Sequence, residues 1–564
     1  MNERKEVIFS DLNALVDEKD RVSPQYGKDK WTPKAYSVGK YSGQMLVTME
    51  SGYPEAVSFD LNLEGNYKIY LCLPRLRAHN YLYVKLTDDL CYTGMAASDR
   101  NPINWSAEEF FEEVYWKTAD LTGQKLIISK SDPASMSVTS LAWIRCVPAE
   151  DLQPAPENKC MQMHIDGDIP FETAFVNGDE YVMKLFQFKD SNVDFVSFEI
   201  TFDYDTVPDP KQEHLLHCDD RWDKGNFIFL ENRDIVYRKN LEFAKKHNIK
   251  LYAANRMAVS NFVTPFTRFG WNMNFVEENS QFYYRTRTGT MVNACSYAYP
   301  EVQDYVIGQF ADAVKMGFDG VSLLFHRGMF VGFEAPVLER FSQLYPDVDP
   351  HKLPFADPRL HGVWCEFMNQ FMHKLRNALG KDTKINVVTG YGLQDTKNIG
   401  LDVEYWVKNG LVDSVSQADM EIYENLADCM DENDPTCIDL EKYQKALEER
   451  TVVCRAFGTN LEKVLTHMPE YLALKQYGVE VYHVIPWIRK YIPEQYPIYM
   501  EPLQKAGAVK FLSWNTNHLL PDVPEWHTVR RIGNEPERET LRKYYRVQSI
   551  DGYDISQYHP NWRG

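Results

Sequence analysis

The groups in this chain best placed for chemistry are polar residues standing just past short apolar runs. The run GFDGVSLLF ends in His326, Arg327 and Gly328, and Glu334 follows in GFEAP. Asp203 comes after DFVSFEI, Arg256 after IKLYAAN, and Tyr391 with Asp395 after KINVVTG. Asp419 and Glu421 follow VDSVSQ, Trp487 follows VEVYHVIP, and Trp514 and Asn515 follow VKFLSW. Carboxylates, amides, cations and tryptophans in one set suit a sugar. Cleaving a glycosidic bond takes two carboxylates, one as acid and one as base or nucleophile. Amides and guanidinium groups hold hydroxyls, and aromatic faces stack on the apolar faces of sugar rings.

Each of these residues also has a plainer use. Acids past a strand cap helices and order loops. His326 can be a satisfied structural histidine, and Trp487 and Trp514 can roof a core. Arg327 is harder to place in that way, because a cation at a buried strand end needs an acidic partner. Glu334 is the candidate partner, and Arg327 would then hold its pKa down. A metal could be drawn to HLLH (214–217) with Asp219 and Asp220, but that stretch reads as loop and no H-x-H accompanies it at the first strand. No metal and no cofactor is expected. No G-x-G-x-x-G or G-x-x-x-x-G-K-[ST] follows a strand, so nucleotide chemistry has no support.

The elements that must position these groups come in two textures. Residues 1–155 hold short alternating segments, AVSFDLNL, NYKIYLCLP, NYLYVKLT, EVYWKTADL, KLIISK and SLAWIRCVP, separated by turn residues. That pattern predicts an all-β sandwich, jelly-roll-like, with either a carbohydrate-binding or a structural role. The Pro-rich EDLQPAPENK (150–159) marks a boundary. In 156–564, eight apolar strands alternate with amphipathic helices: 194–200, 249–255, 319–325, 384–390, 412–417, 451–457, 479–486 and 509–514. In the helix PEVQDYVIGQFADAVKMG, Val302, Tyr305, Val306, Phe310, Ala313 and Val314 form one stripe, with Pro300 at its start and Gly317 at its end. Eight alternations predict a (β/α)8 barrel, with a doubly wound open sheet as the alternative. A barrel carries its site at the carboxyl ends of its strands, which is where the polar set falls.

Composition narrows the partners. The chain has 564 residues and a net charge of −20, which disfavours nucleic acid and anionic membrane and suits a neutral substrate. The first residues lack a signal-peptide pattern, and the 10 cysteines are scattered without C-x-x-C, as expected of buried thiols in the cytoplasm. Nothing in the sequence excludes a homo-oligomer.

Four stretches carry a resemblance: YPEVQDYVIGQFADAVKMGFDGVSLLFHRG, VGFEAPVLERFSQLYPDVDP, GLVDSVSQ, and LQKAGAVKFLSWNTN with WHTVRRIGN. Through them residues 160–540 resemble the glycosyl-hydrolase-like (family-ten-like) TIM-barrel proteins of bacteria. The resemblance implies a (β/α)8 barrel, glycosidase activity and an accessory β-domain. Many related barrels carry an acid directly after the third strand, where this chain has His326-Arg327-Gly328. That departure turns attention to Glu334. The expectation is therefore a glycoside hydrolase acting on a neutral oligosaccharide or glycoside. Glu334 would be base or nucleophile and Asp419 the general acid, with Asp395, Glu421 and Asp203 in reserve. His326, Arg327, Arg256, Tyr391, Trp487, Trp514 and Asn515 would line the substrate site. The rival expectations are a non-catalytic sugar-binding barrel, and a lyase or isomerase using His326 as base.

Overall fold

The computed structural model describes residues 4–48, 52–74, 80–96, 111–130, 138–150, 158–165, 182–200 apart from 187, 235–259, 274–325, 330–355, 357–418, 461–485 and 495–513, with 439, 441, 442, 444 and 445. Eight parallel strands close into a barrel. In order they are Met161–Ile165, Val193–Glu199, Lys250–Arg256, Gly320–Leu324, Lys384–Thr389, Ser414–Gln417, Glu480–Val484 and Phe511–Ser513. The first pairs with the eighth through Met161 and Phe511, which leaves no free edge.

This count corrects the expected one in two places. The first strand, Met161–Ile165, was not expected, so GVSLL is the fourth strand and not the third. The expected strand 451–457 lies outside the described residues, and the sixth and seventh strands pair directly, Ser414 with Glu480 and Gln417 with His483. The physical reason is visible in MQMHI. Its lumen-facing residues are Gln162 and His164, so it lacks the continuous apolar run by which a buried parallel strand is recognised.

The helices follow the expected pattern closely. Pro300–Met316 buries Val302, Val306, Phe310 and Ala313 against the barrel. Val302, Val306 and Phe310 each contribute about 1.5–3 kcal/mol, and the Ala313 methyl less than about 1. Gly317 ends the helix at φ 119°, a left-handed conformation that costs glycine little, and its N–H donates to the carbonyls of Ala313 and Val314. Pro358–Leu379 lies alongside, capped by Asp357. Among the described residues, no helix is long and apolar enough to cross a membrane.

Before the barrel lie three antiparallel sheets. One joins Val7–Phe9, Ile144–Pro148, Asn66–Pro74 and Phe111–Asp120; another joins Val57–Asp60, Lys125–Lys130, Tyr81–Leu86 and Thr93–Ala96. Residues of both, including Ile69, Trp116, Phe59 and Ile128, share one apolar cluster. The third sheet joins Thr32–Val38, Tyr41–Val47 and Ser140–Leu141. Phe186, in the helix Met183–Phe186 before the second barrel strand, packs against the cluster of Tyr83 and Tyr92 from the second of these sheets.

Candidate functional site

The barrel lumen is layered, and the layers differ in chemistry. At the base Phe195 stacks on Tyr252 at 4.2 Å and meets the edge of Tyr482 at 5.4 Å. Phe195 and Tyr482 belong to the second and seventh strands, so that contact spans the lumen. Above them the filling is polar. Gln162 donates to Ser197 (3.0 Å) and to Asn386 (3.1 Å), and Ser322 donates to Asn386 (2.7 Å). Asn386 in turn donates to Ser414 (2.9 Å) and Ser416 (3.0 Å), and Ser416 donates back to Gln162. Five strands are tied by side chains that are almost fully buried. Such a network stabilises only when every member is satisfied.

Two residues beyond Ser197, on the same face of its strand, stands Glu199. Its carboxylate is completely buried and lies 2.8 Å from Nε of Arg256, whose side chain is 17% exposed. The pair sits at the carboxyl ends of the second and third strands. A guanidinium held by a carboxylate carries no net charge as a unit. Arg256 was expected here; Glu199 was not. The alternation in DFVSFEI, which places Phe195, Ser197 and Glu199 on one face, is the signal that could have found it.

Glu334 occupies a different setting from the one expected. It lies in the loop after the fourth strand, fully buried. One carboxylate oxygen accepts the N–H of Arg285 and the other that of Gly332, each at 2.9 Å. Phe333 N–H donates to the Arg285 carbonyl, so this loop extends the hairpin Tyr283–Arg285 and Met291–Cys295. Gly332 is required there, since a Cβ would come within 2.3 Å of the Tyr284 ring. The expected lowering of the Glu334 pKa is corrected: burial pushes it up to about 7, against the pull of the backbone N–H donors. Arg327, the expected cause of lowering, lies outside the described residues.

Tyr391 is buried, and its carbonyl accepts Nε2 of Gln417 (2.8 Å). Gln417 also donates to the Val464 carbonyl, so its Oε1 must be the acceptor facing Nδ1 of His483 at 2.7 Å. That assigns the proton of His483 to Nδ1, and burial lowers its pKa to about 4. The clamp fixes the ends of the fifth, sixth and seventh strands together. Asp395 is exposed in the first turn of Leu393–Lys397. Asp203, Asp419, Glu421, His326, Trp487, Trp514 and Asn515 lie outside the described residues, as does HLLH (214–217). Of the expected set, the described residues therefore bring Arg256 to the barrel mouth, enclose Glu334 and Tyr391, and leave Asp395 on the surface. Among the described residues, no group of three or more His, Cys, Asp or Glu could hold a metal ion.

No family model matches the chain, and no curated protein sequence matches it, so the family-ten-like resemblance is not shown. Several solved structures resemble it. The PgaB (BpsB) glycoside hydrolase domain from Bordetella bronchiseptica is 14% identical, with 70% of this chain and 100% of that one covered, at a TM-score of 0.37. The glycoside hydrolase domain of PelA from Pseudomonas aeruginosa is 12% identical over 64% and 95%, at 0.30. The alpha-galactosidase TtGalA from Thermus thermophilus is 11% identical over 91% and 94%, also at 0.30. Scores of this size do not establish a shared fold, and the closed parallel barrel rests on its own strand register.

Proposed function

We propose that this chain is a glycoside hydrolase acting on a neutral oligosaccharide or glycoside at the carboxyl-end mouth of its barrel. The observation that carries the reading is the Glu199–Arg256 pair at that mouth, above a polar lumen. As an ion pair it brings no net positive charge to the mouth, which suits a neutral substrate better than phosphates or carboxylates. In this reading the N-terminal part, residues 1–155, is a β-sandwich and 156–564 the catalytic barrel. The apolar cluster shared by two of the sheets supports the sandwich. The cysteines Cys72, Cys91, Cys146, Cys160, Cys295 and Cys365, all free and buried, fit a reducing cytoplasm.

Asp419, two positions past Gln417 at the end of the sixth strand, is assigned as general acid. The enclosure of Glu334 supports giving it a loop-positioning role, and Asp203, past the second strand, then becomes the base or nucleophile. Asp395 and Glu421 stay in reserve. Arg256, with Tyr391, Trp487, Trp514 and Asn515, would hold the sugar. A panel of aryl glycosides and neutral oligosaccharides tests this. Asp419→Asn and Asp203→Asn should each lower turnover at least about a hundredfold. Near-normal activity in a folded variant removes that residue. Product stereochemistry adds a check: retention implies carboxyl groups about 5 Å apart, inversion about 6.5–9.5 Å.

The enclosure of Glu334 also favours one second reading, a sugar-binding barrel without catalysis. Saturable binding of an oligosaccharide, with no cleavage anywhere in the panel, would select it.

A further inference from the structure

Two tyrosines in the N-terminal part are held out in solvent: Tyr26 is 55% exposed and Tyr53 54%. Their loops are joined, since Tyr53 N–H donates to the Lys28 carbonyl. They are also pinned from below. The fully buried Trp31 donates from Nε1 to the Glu55 carbonyl at 2.8 Å, and the buried Lys130 donates from Nζ to the Gly52 carbonyl at 2.9 Å. Arg21 pairs with Glu55 at 2.6 Å and donates to the Ala56 carbonyl. Lys34 lies 4.2 Å from the Tyr26 ring centre. The loops are thus fixed by interior groups while their tyrosines stay about half exposed, Tyr26 with Lys34 over one face of its ring.

We propose that Tyr26 and Tyr53 form a second carbohydrate site, outside the barrel, for a neutral polysaccharide chain. Tyrosine offers an apolar face, a hydroxyl and little rotamer entropy to lose, the combination that stacks on sugar rings. A platform already fixed loses less on binding than a mobile loop would. The flanking charges are of both signs, Arg21, Lys28, Lys30 and Lys34 with Asp29 and Glu55, so they supply both donors and acceptors. The chain's net charge of −20 opposes a polyanion and leaves the neutral chain as occupant. The ligand class rests on the proposed function; the location does not.

The test is electrophoresis of the full chain through native gels containing galactomannan, arabinoxylan or mixed-linkage β-glucan. At least one gel should retard the protein. Tyr26→Ala with Tyr53→Ala should weaken that retardation about tenfold, while the paired Phe variants keep most of it. Thermal unfolding should not move, because the rings are exposed, and turnover of small glycosides should stay unchanged. Retardation that persists in the double Ala variant, or none in any gel, overturns the site. If Tyr-dependent retardation appears without cleavage of any glycoside, the site stands and the hydrolase reading falls.

Discussion

Two buried carboxylates, one in the lumen and one in a rim loop, are satisfied by opposite means. Glu199 meets a side-chain cation, Arg256, contributed by the neighbouring strand. Glu334 meets two backbone N–H groups, from Arg285 and Gly332, and the Ser296 hydroxyl, and forms no ion pair among the described residues. The first arrangement places the guanidinium at the barrel mouth with 17% of its side chain exposed. The second closes around its carboxylate and uses it to join a hairpin to a loop. The lesson is that burial of an acid near a barrel mouth does not by itself assign chemistry. What the acid is bonded to decides whether it serves the ligand or the chain.

The largest expected effect tests the lumen side. Arg256→Met removes the guanidinium from beside the buried Glu199 and should destabilise the protein by about 3–5 kcal/mol in urea unfolding. The double variant Glu199→Leu with Arg256→Met should recover most of that loss. If it does not, the pair is not what holds the mouth. One layer down, Asn386→Leu removes the hub of the polar network and strands several buried partners. A loss of about 3 kcal/mol is expected, since each orphaned group costs about 1–3. A loss below about 1 kcal/mol would mean the network is not closed in solution.

On the rim side, Glu334→Ala orphans two amide donors and should cost about 2 kcal/mol, with hydrogen exchange faster at Arg285 and Gly332 but not in the barrel strands. The pH dependence has a definite sign. The folded-state pKa of Glu334 is about 7, raised from 4.5 by burial. The folded protein therefore holds this proton more tightly than the unfolded chain. That contribution is fully present below about pH 4.5 and is lost as the pH rises to 7, amounting to about 3 kcal/mol. Wild type should lose stability across this window relative to Glu334→Gln, and parallel curves for the two would contradict the burial. The smallest effect belongs to Asp395, exposed at a helix start. Asp395→Asn should cost no more than about 0.5 kcal/mol.

Much of the fold was legible because its periodicities are strong. The stripe of Val302, Val306 and Phe310, bounded by Pro300 and Gly317, marks a helix whatever packs against it. The runs GVSLL and KINVVT are apolar enough to be buried strands in any parallel sheet. Where the pattern weakened, the reading failed. Gln162 and His164 gave the first strand a polar face, so the second to sixth strands were each numbered one too low. The site was less legible than the fold. Arg256 stood where a strand end put it, but the partnership assigned to Arg327 and Glu334 could not be tested by spacing alone.

Local sequence determined which segments are strands and helices, because backbone preference and apolar period act over neighbouring residues. It also set the acidic balance and the absence of nucleotide-binding motifs among the strand ends. Only the tertiary structure decided who meets whom. Gln162 and Asn386 are 224 positions apart and hydrogen-bond across the lumen. Glu199 and Arg256 lie on adjacent strands in a register that no local pattern states. Glu334 keeps its two oxygens for Arg285 and Gly332 because the loop turns it away from water. Desolvation and hydrogen-bond partners belong to the folded environment, and they separate a carboxylate that orders a loop from one that faces a ligand.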